Sequence, residues 1–225
     1  MKEILTIEKL KEEAENFCIS ESKLKNKSLF GVTDGKAVGT YIEHKFQQQL
    51  NSKYLINIGS SALGIDLPSD DICTDIKVTS IKHPQSSCPY KDAKQKIYGL
   101  GYNLLIFVYD KIDDPKTKSA NLNFISCSFI SKGRTADYTT TFRLREMIKD
   151  NANIEDIVAY LYDKNIPADD ITLNQFANHI LQTPPAQGYL TISNALQWRL
   201  QYQRIVMLDN EVDGISKLVD KVSKL

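Results

Sequence analysis

Asp75 and Lys77 stand two residues apart in ICTDIKVTS, residues 72–80, where apolar and polar residues alternate. On a β-strand, side chains switch sides at every residue, so Ile72, Thr74, Ile76 and Val78 share one face and Cys73, Asp75, Lys77 and Thr79 the other. A second carboxylate, Asp66, lies just upstream in the turn-flanked GIDLP, residues 64–68. Two carboxylates beside an ammonium suit metal-assisted phosphodiester hydrolysis, which needs an attacking water, neutralisation of charge on the phosphorane and help for the departing oxygen. Magnesium takes oxygen ligands and keeps several waters, so two protein carboxylates suffice, with the main-chain carbonyl of Ile76 as a further ligand. Lys77 would orient or help deprotonate the water and stabilise the developing charge.

A third acid belongs to the same reading. In the helix VGTYIEHKFQQQL, Glu43 stands at i, i+3 and i+7 with Phe46 and Leu50, on the stripe that faces inward. An acid on an apolar stripe needs a partner, and the metal site or Lys77 would supply one. The alternative is a slightly rolled helix with Glu43 solvated.

The elements that must position these groups read as helix, three strands, helix, two strands. Residues 6–18 and Lys36 to Leu50 have helical patterns, joined by the polar ESKLKNKSLFGVTDG. The strand candidates are YLINIG (54–59), GIDLP, ICTDIKVTS, NLLIFVYD (103–110) and LNFISCSFI (122–130), with a short helix in KDAKQKIYGL stopped by Gly99 or Gly101. NLLIFVYD is nearly continuous in apolar residues, as in a central strand covered on both faces. The sum is an α/β core, a mixed central sheet flanked by helices. From about residue 141 the pattern turns helical, through FRLREMIK, IEDIVAYLYDK, TLNQFANHIL, ALQWRLQYQRIVML and VDGISKLVDKVSK. Residues 1–140 are thus expected to form the core, and 141–225 a helical C-terminal region serving DNA recognition or dimerisation.

Composition sets bounds. The chain has 225 residues, enough for one core with embellishments, and 28 Lys plus Arg balance 28 Asp plus Glu. Neutrality gives no global electrostatic reason for nucleic acid binding, but the charge is uneven, with Lys77, Lys82, Lys91, Lys94 and Lys96 crowding one segment. No apolar run reaches the roughly 20 residues of a membrane span, and the acidic N-terminus argues against a targeting peptide. A cytoplasmic location is expected. Cys18, Cys73, Cys88 and Cys127 lack CxxC spacing and read as reduced thiols. His44, His83 and His179 are isolated from one another.

The order of Glu43 on a helix, Asp66 at a strand start, Asp75-Ile76-Lys77, the helix KDAKQKIYGL and the strand NLLIFVYD resembles the PD-(D/E)xK nuclease superfamily, particularly type II restriction endonucleases. The resemblance covers roughly residues 36–132. It implies a restriction-endonuclease-like fold, magnesium on Asp66 and Asp75, Lys77 near the attacking water, Glu43 assisting, and double-stranded DNA as substrate. It also implies a homodimer if the site is palindromic, and a cognate DNA methyltransferase in the cell. Ile65 replaces the motif's proline, and Asp70 and Asp71 lie close enough to compete with Asp66. A repair or nicking endonuclease of the same fold, or a DNA-binding protein without activity, remains as an alternative.

Reading a DNA sequence takes contacts to base edges as well as phosphates. The loop SIKHPQSSCPYK follows the catalytic strand and offers Lys82, Gln85, Ser86, Ser87 and Lys91. Gln95, on the next helix, resembles a glutamine used in some branches of the superfamily. NALQWRLQYQR, read as a helix, offers Gln197, Arg199, Gln201, Gln203 and Arg204.

Overall fold

A computed structural model describes residues 2–59, 64–88, 91–193 and 198–222. The chain opens with β1 (Glu3–Ile4) and α1 (Ile7–Glu21), whose first turn is capped by the Thr6 hydroxyl accepting from the Lys9 amide. Asp34 caps α2 (Gly35–Lys53) by accepting from the amides of Lys36 and Ala37. There follow β2 (Tyr54–Leu55), β3 (Thr74–Ser80), β4 (Gln85–Cys88), α3 (Gln95–Tyr98), β5 (Asn103–Asp114) and β6 (Ser119–Ile130). The remainder is α4 (Tyr138–Lys149), α5 (Ile154–Asp163), α6 (Asp170–Gln182), β7 (Thr191–Ile192), β8 (Trp198–Gln201), α7 (Gln203–Val206) and β9 (Ile215–Asp220).

The central sheet has the order β3-β5-β6-β9, with β3 parallel to β5 and the other pairs antiparallel. It is the mixed sheet flanked by helices that the sequence implies. β5 is buried on both faces, which its continuous apolar run foretells. Leu105, Phe107 and Tyr109 meet α1 and α2, where Phe17, Phe46, Phe107 and Phe124 form an aromatic cluster with Phe46 and Phe107 centroids 5.1 Å apart. Leu104, Ile106 and Val108 point the other way, onto Ile192, Leu200, Tyr202 and Ile205. A third core joins α3 to α4, α5 and α6 through Ile97, Leu144, Ile157, Leu161 and Phe176.

Four sequence expectations change, the first being that the segment read as the loop SIKHPQSSCPYK contains strand β4, which pairs with β8. Only Tyr54–Leu55 of YLINIG is a strand, paired to β1 outside the central sheet, and GIDLP contributes a single bridge, Leu67 to Thr74. Helix is found in α4, α5 and α6 and beyond them only in the four-residue α7: WRLQ is strand β8 and ISKLVD is strand β9. For β8 the reason is period-two burial, since Leu200 and Tyr202 go inward while Arg199 and Gln201 stay exposed. β9 pairs with β6, so the central sheet takes its last strand from far along the chain.

Candidate active site

β3 is an edge strand, and its open edge is where the three acids and the lysine meet. Leu67 and Thr74 exchange both backbone hydrogen bonds, each at 3.0 Å, which lays the segment of Asp66 along that edge. Asp66 Oδ2 then accepts from the Ile76 amide at 2.7 Å. Within a strand a residue's N–H and C=O point the same way, so the Ile76 carbonyl also faces the open edge rather than β5. Gly59 is required here: its amide donates to the Asp66 carbonyl at 2.8 Å, and a Cβ on it would sit 1.9 Å from the Ile65 carbonyl oxygen. Asp70 and Asp71, the rivals for the role of Asp66, are exposed in the turn before β3.

Asp75 and Lys77 share a face of β3, as the alternation requires. The Asp75 side chain is 5% exposed, and Lys77 Nζ lies 2.6 Å from its Oδ2. That oxygen is buried without a hydrogen-bond partner of acceptable geometry. Burial, with the neighbouring Asp66, pushes the Asp75 carboxyl up to about 7 against the pull of Lys77. Glu43 is likewise pushed up to about 7, first by burial and then by Asp66. Burial alone would lower Lys77, but the charge of Asp75 beside it holds the ammonium above its usual value. Three acids share one lysine, and two of them resist ionisation, so the cluster favours an added cation. Among the described residues no three His, Cys, Asp or Glu side chains converge as a ready metal cage. Two carboxylates and a carbonyl at a strand edge nonetheless suit a hard divalent cation that retains water.

Sequence reasoning passed over Gln47, one helical turn beyond Glu43 on α2. Its amide lies 3.5 Å from Glu43 Oε1 and 3.4 Å from Asp66 Oδ1, bridging the two acids. Its i, i+4 spacing from Glu43 was the available signal, and its burial is shown only by the structure. Thr79, also passed over, belongs to the face of Asp75 and Lys77 and clamps β4, as described below.

Beside the acids opens a cleft of about 840 Å³ lined by Glu43, Lys77, Thr79, Gln85, Ser87 and Arg199 among others. The two segments chosen for DNA contact, far apart in sequence, are hydrogen-bonded to each other: β4 and β8 run antiparallel, with Gln85 opposite Gln201 and Ser87 opposite Arg199. Ser86 lies on the strand between them, its Oγ 2.5 Å from the Tyr202 hydroxyl. Lys82 and Lys91 are exposed at either end of β4. Arg204 stacks on Tyr138, its guanidinium carbon 3.7 Å from the ring centre. Gln95 is not brought to the cleft; it is buried, donating to the Leu100 carbonyl at 3.3 Å and accepting from the Lys91 amide at 3.3 Å. Gln197 lies outside the described residues. Cys18, Cys88 and Cys127 are buried, with the Cys88 sulfur 3.7 Å from the Tyr102 hydroxyl.

An edge strand carrying D-x-K, a preceding acid on the adjoining segment and a helix-borne glutamate, on a mixed sheet flanked by helices, define a restriction-endonuclease-like nuclease core. Comparison with known proteins agrees. Residues 4–217 match the family described as type II restriction enzyme NspV. The type II restriction enzyme NspV of Nostoc sp. (strain ATCC 29411 / PCC 7524) is 51% identical over 212 residues, covering 94% of this chain and 96% of that protein. No solved structure matches the chain. The chain belongs to the NspV family of type II restriction enzymes, and is with it a sequence-specific restriction endonuclease.

Proposed function

We propose that Asp66, Asp75 and Lys77 form the cleavage site of this endonuclease, with Glu43 in support and magnesium as its cofactor. The convergence of these four side chains at the open edge of β3 carries the reading. Asp66, Asp75 and the Ile76 carbonyl would hold the ion, which supplies a polarised water and neutralises charge on the phosphorane. Lys77, kept protonated by Asp75, stabilises the negative charge that develops on the phosphate and orients the water; while so paired it is a poor base. Glu43, raised toward neutrality, hydrogen-bonds within the acid cluster and ionises as cation is bound.

The cleft receives double-stranded DNA, with Lys82 and Lys91 available to phosphates and the β4 and β8 residues to bases. Cutting both strands of a palindrome calls for two copies related by a two-fold axis, and hence a homodimer. Sparing the host's own copies of the site calls for a cognate methyltransferase, and both proteins act where the DNA is, in the cytoplasm. No described helix is long and apolar enough to cross a membrane. In this reading residues 1–140 supply the cleavage groups, and residues 141–225 contribute Arg199, Gln201 and Arg204 to DNA contact.

The test is digestion of unmethylated plasmid and phage DNA with magnesium or EDTA, beside a folded Lys77→Ala variant. Discrete fragments that require magnesium and vanish in the variant are expected. A folded variant that cuts at the wild-type rate would overturn the assignment.

A further inference from the structure

The exposed face of the β4 and β8 pair has the composition and rigidity of a base-reading surface. In an antiparallel pair, directly opposed residues project to the same side. One side therefore carries Gln85, Ser87, Arg199 and Gln201, a set of neutral amides, a hydroxyl and one guanidinium with no carboxylate among them. The opposite side is anchored: Leu200 and Cys88 are buried in the core beneath β5, and Ser86 is tied to the buried Tyr202.

Arg199 is held at its backbone. Its amide donates to Ser193 Oγ at 3.1 Å, and its carbonyl accepts from the Ser193 amide at 3.1 Å. Its side chain is exposed, and among the described residues no carboxylate pairs with it, whereas Arg134 meets Asp213, Arg145 the Pro185 carbonyl and Arg204 the ring of Tyr138. Arg199 also borders the cleft that holds Lys77 and Glu43, so a duplex positioned for cleavage would lie against it. An arginine fork matches the two acceptors that guanine presents in the major groove, and glutamine matches adenine's donor and acceptor. Sheet surfaces and ribbons are established readers of DNA grooves.

We infer that the β4 and β8 face is the direct base reader of this endonuclease, with Arg199 its specificity-determining residue, contacting a guanine of the recognition site, and Gln85 and Gln201 reading beside it. The inference rests on the proposed cleavage site, since it places the reader on the same cleft.

Wild-type fragment ends on phage DNA of known sequence define the site. Cleavage of duplex oligonucleotides carrying that site, and of each single-base-pair variant of it, is then measured for wild type, Arg199→Ala and Arg199→Lys. Arg199→Lys keeps charge and stem and can still reach guanine's acceptors as a point charge, so it is the folding and partial-rescue control, while Arg199→Ala removes the contact. For Arg199→Ala the expected result is a roughly tenfold to hundredfold fall in discrimination at one G·C pair in each half-site, with the other positions still read. Undiminished discrimination at every position would overturn the inference, whether the rate is unchanged or uniformly lowered as for a phosphate contact. The two assignments fail separately: loss of the cleavage-site reading appears in Lys77→Ala, loss of the reader in Arg199→Ala.

Discussion

Thr79 and Gln85 are bonded through a single hydroxyl in both directions. Thr79 Oγ1 accepts from the Gln85 amide at 3.1 Å and sits 3.2 Å from the Gln85 carbonyl and 3.0 Å from that of His83. Thr79 lies two residues beyond Lys77 on the same face of β3, so the clamp fixes where β4 begins relative to Asp75 and Lys77.

Thr79→Val keeps the shape of the side chain but strands these backbone groups, costing about 1–3 kcal/mol. A melting temperature lower by several degrees is expected, with kcat reduced more than KM. Thr79→Ser restores both. Melting curves and steady-state cleavage of a duplex substrate check this, and a Val variant with wild-type kcat would dismiss the clamp.

Gly59→Ala brings a Cβ against the Ile65 carbonyl oxygen, which is backbone and cannot swing aside. The Asp66 segment must shift, and if Asp66 holds the proposed role, displacement of about an ångström costs on the order of a hundredfold in rate. Single-turnover cleavage should fall by that order while DNA binding without magnesium stays within a few-fold. Unimpaired cleavage would show that the segment absorbs the Cβ.

Metal-free stability should fall with rising pH. Asp75 and Glu43 have ordinary values of 3.8 and 4.5 and are raised to about 7 in the fold. The folded chain therefore binds more protons than the unfolded one, and the stability is fully present below those ordinary values and lost as pH rises through about 7. Melting in EDTA from about pH 5 to about pH 8 should show the decline. Asp75→Asn should flatten it, and magnesium should raise the melting temperature more at the alkaline end. A flat profile for the wild type would contradict the coupling.

Gln95→Ala should cost roughly 1–3 kcal/mol by unpairing the Leu100 carbonyl and the Lys91 amide. The fragment pattern should not change, because Gln95 is buried away from the cleft. Relaxed cleavage in a folded Gln95 variant would instead make it a DNA contact.

How far the sequence discloses the site depends on whether a relationship is local. Asp75 and Lys77 were legible because a strand's period is fixed, and Glu43 because a helix's is. Asp66 could be named but not separated from Asp70 and Asp71, since what selects it is the Ile76 amide across a bridge. The segment around Arg199 satisfies both periods: its apolar residues suit a helix face, while Arg199, Leu200, Gln201 and Tyr202 alternate as a strand does. The choice is made by β4, distant in sequence, and by the Leu104, Ile106 and Val108 face that Leu200 and Tyr202 cover. The loop SIKHPQSSCPYK conceals β4 for the same reason.

The late position of β8 and β9 has a consequence for biosynthesis. A ribosome delivers Glu43, Asp66, Asp75 and Lys77 well before Arg199 and the strand that pairs with β6. Until those arrive, one face of β5 is uncovered, β4 lacks its partner and the cleft has no second wall. An interrupted translation product thus lacks the cover of β5 and the cleft wall opposite Glu43 and Lys77, so the cleft is completed only when the last strands are in place.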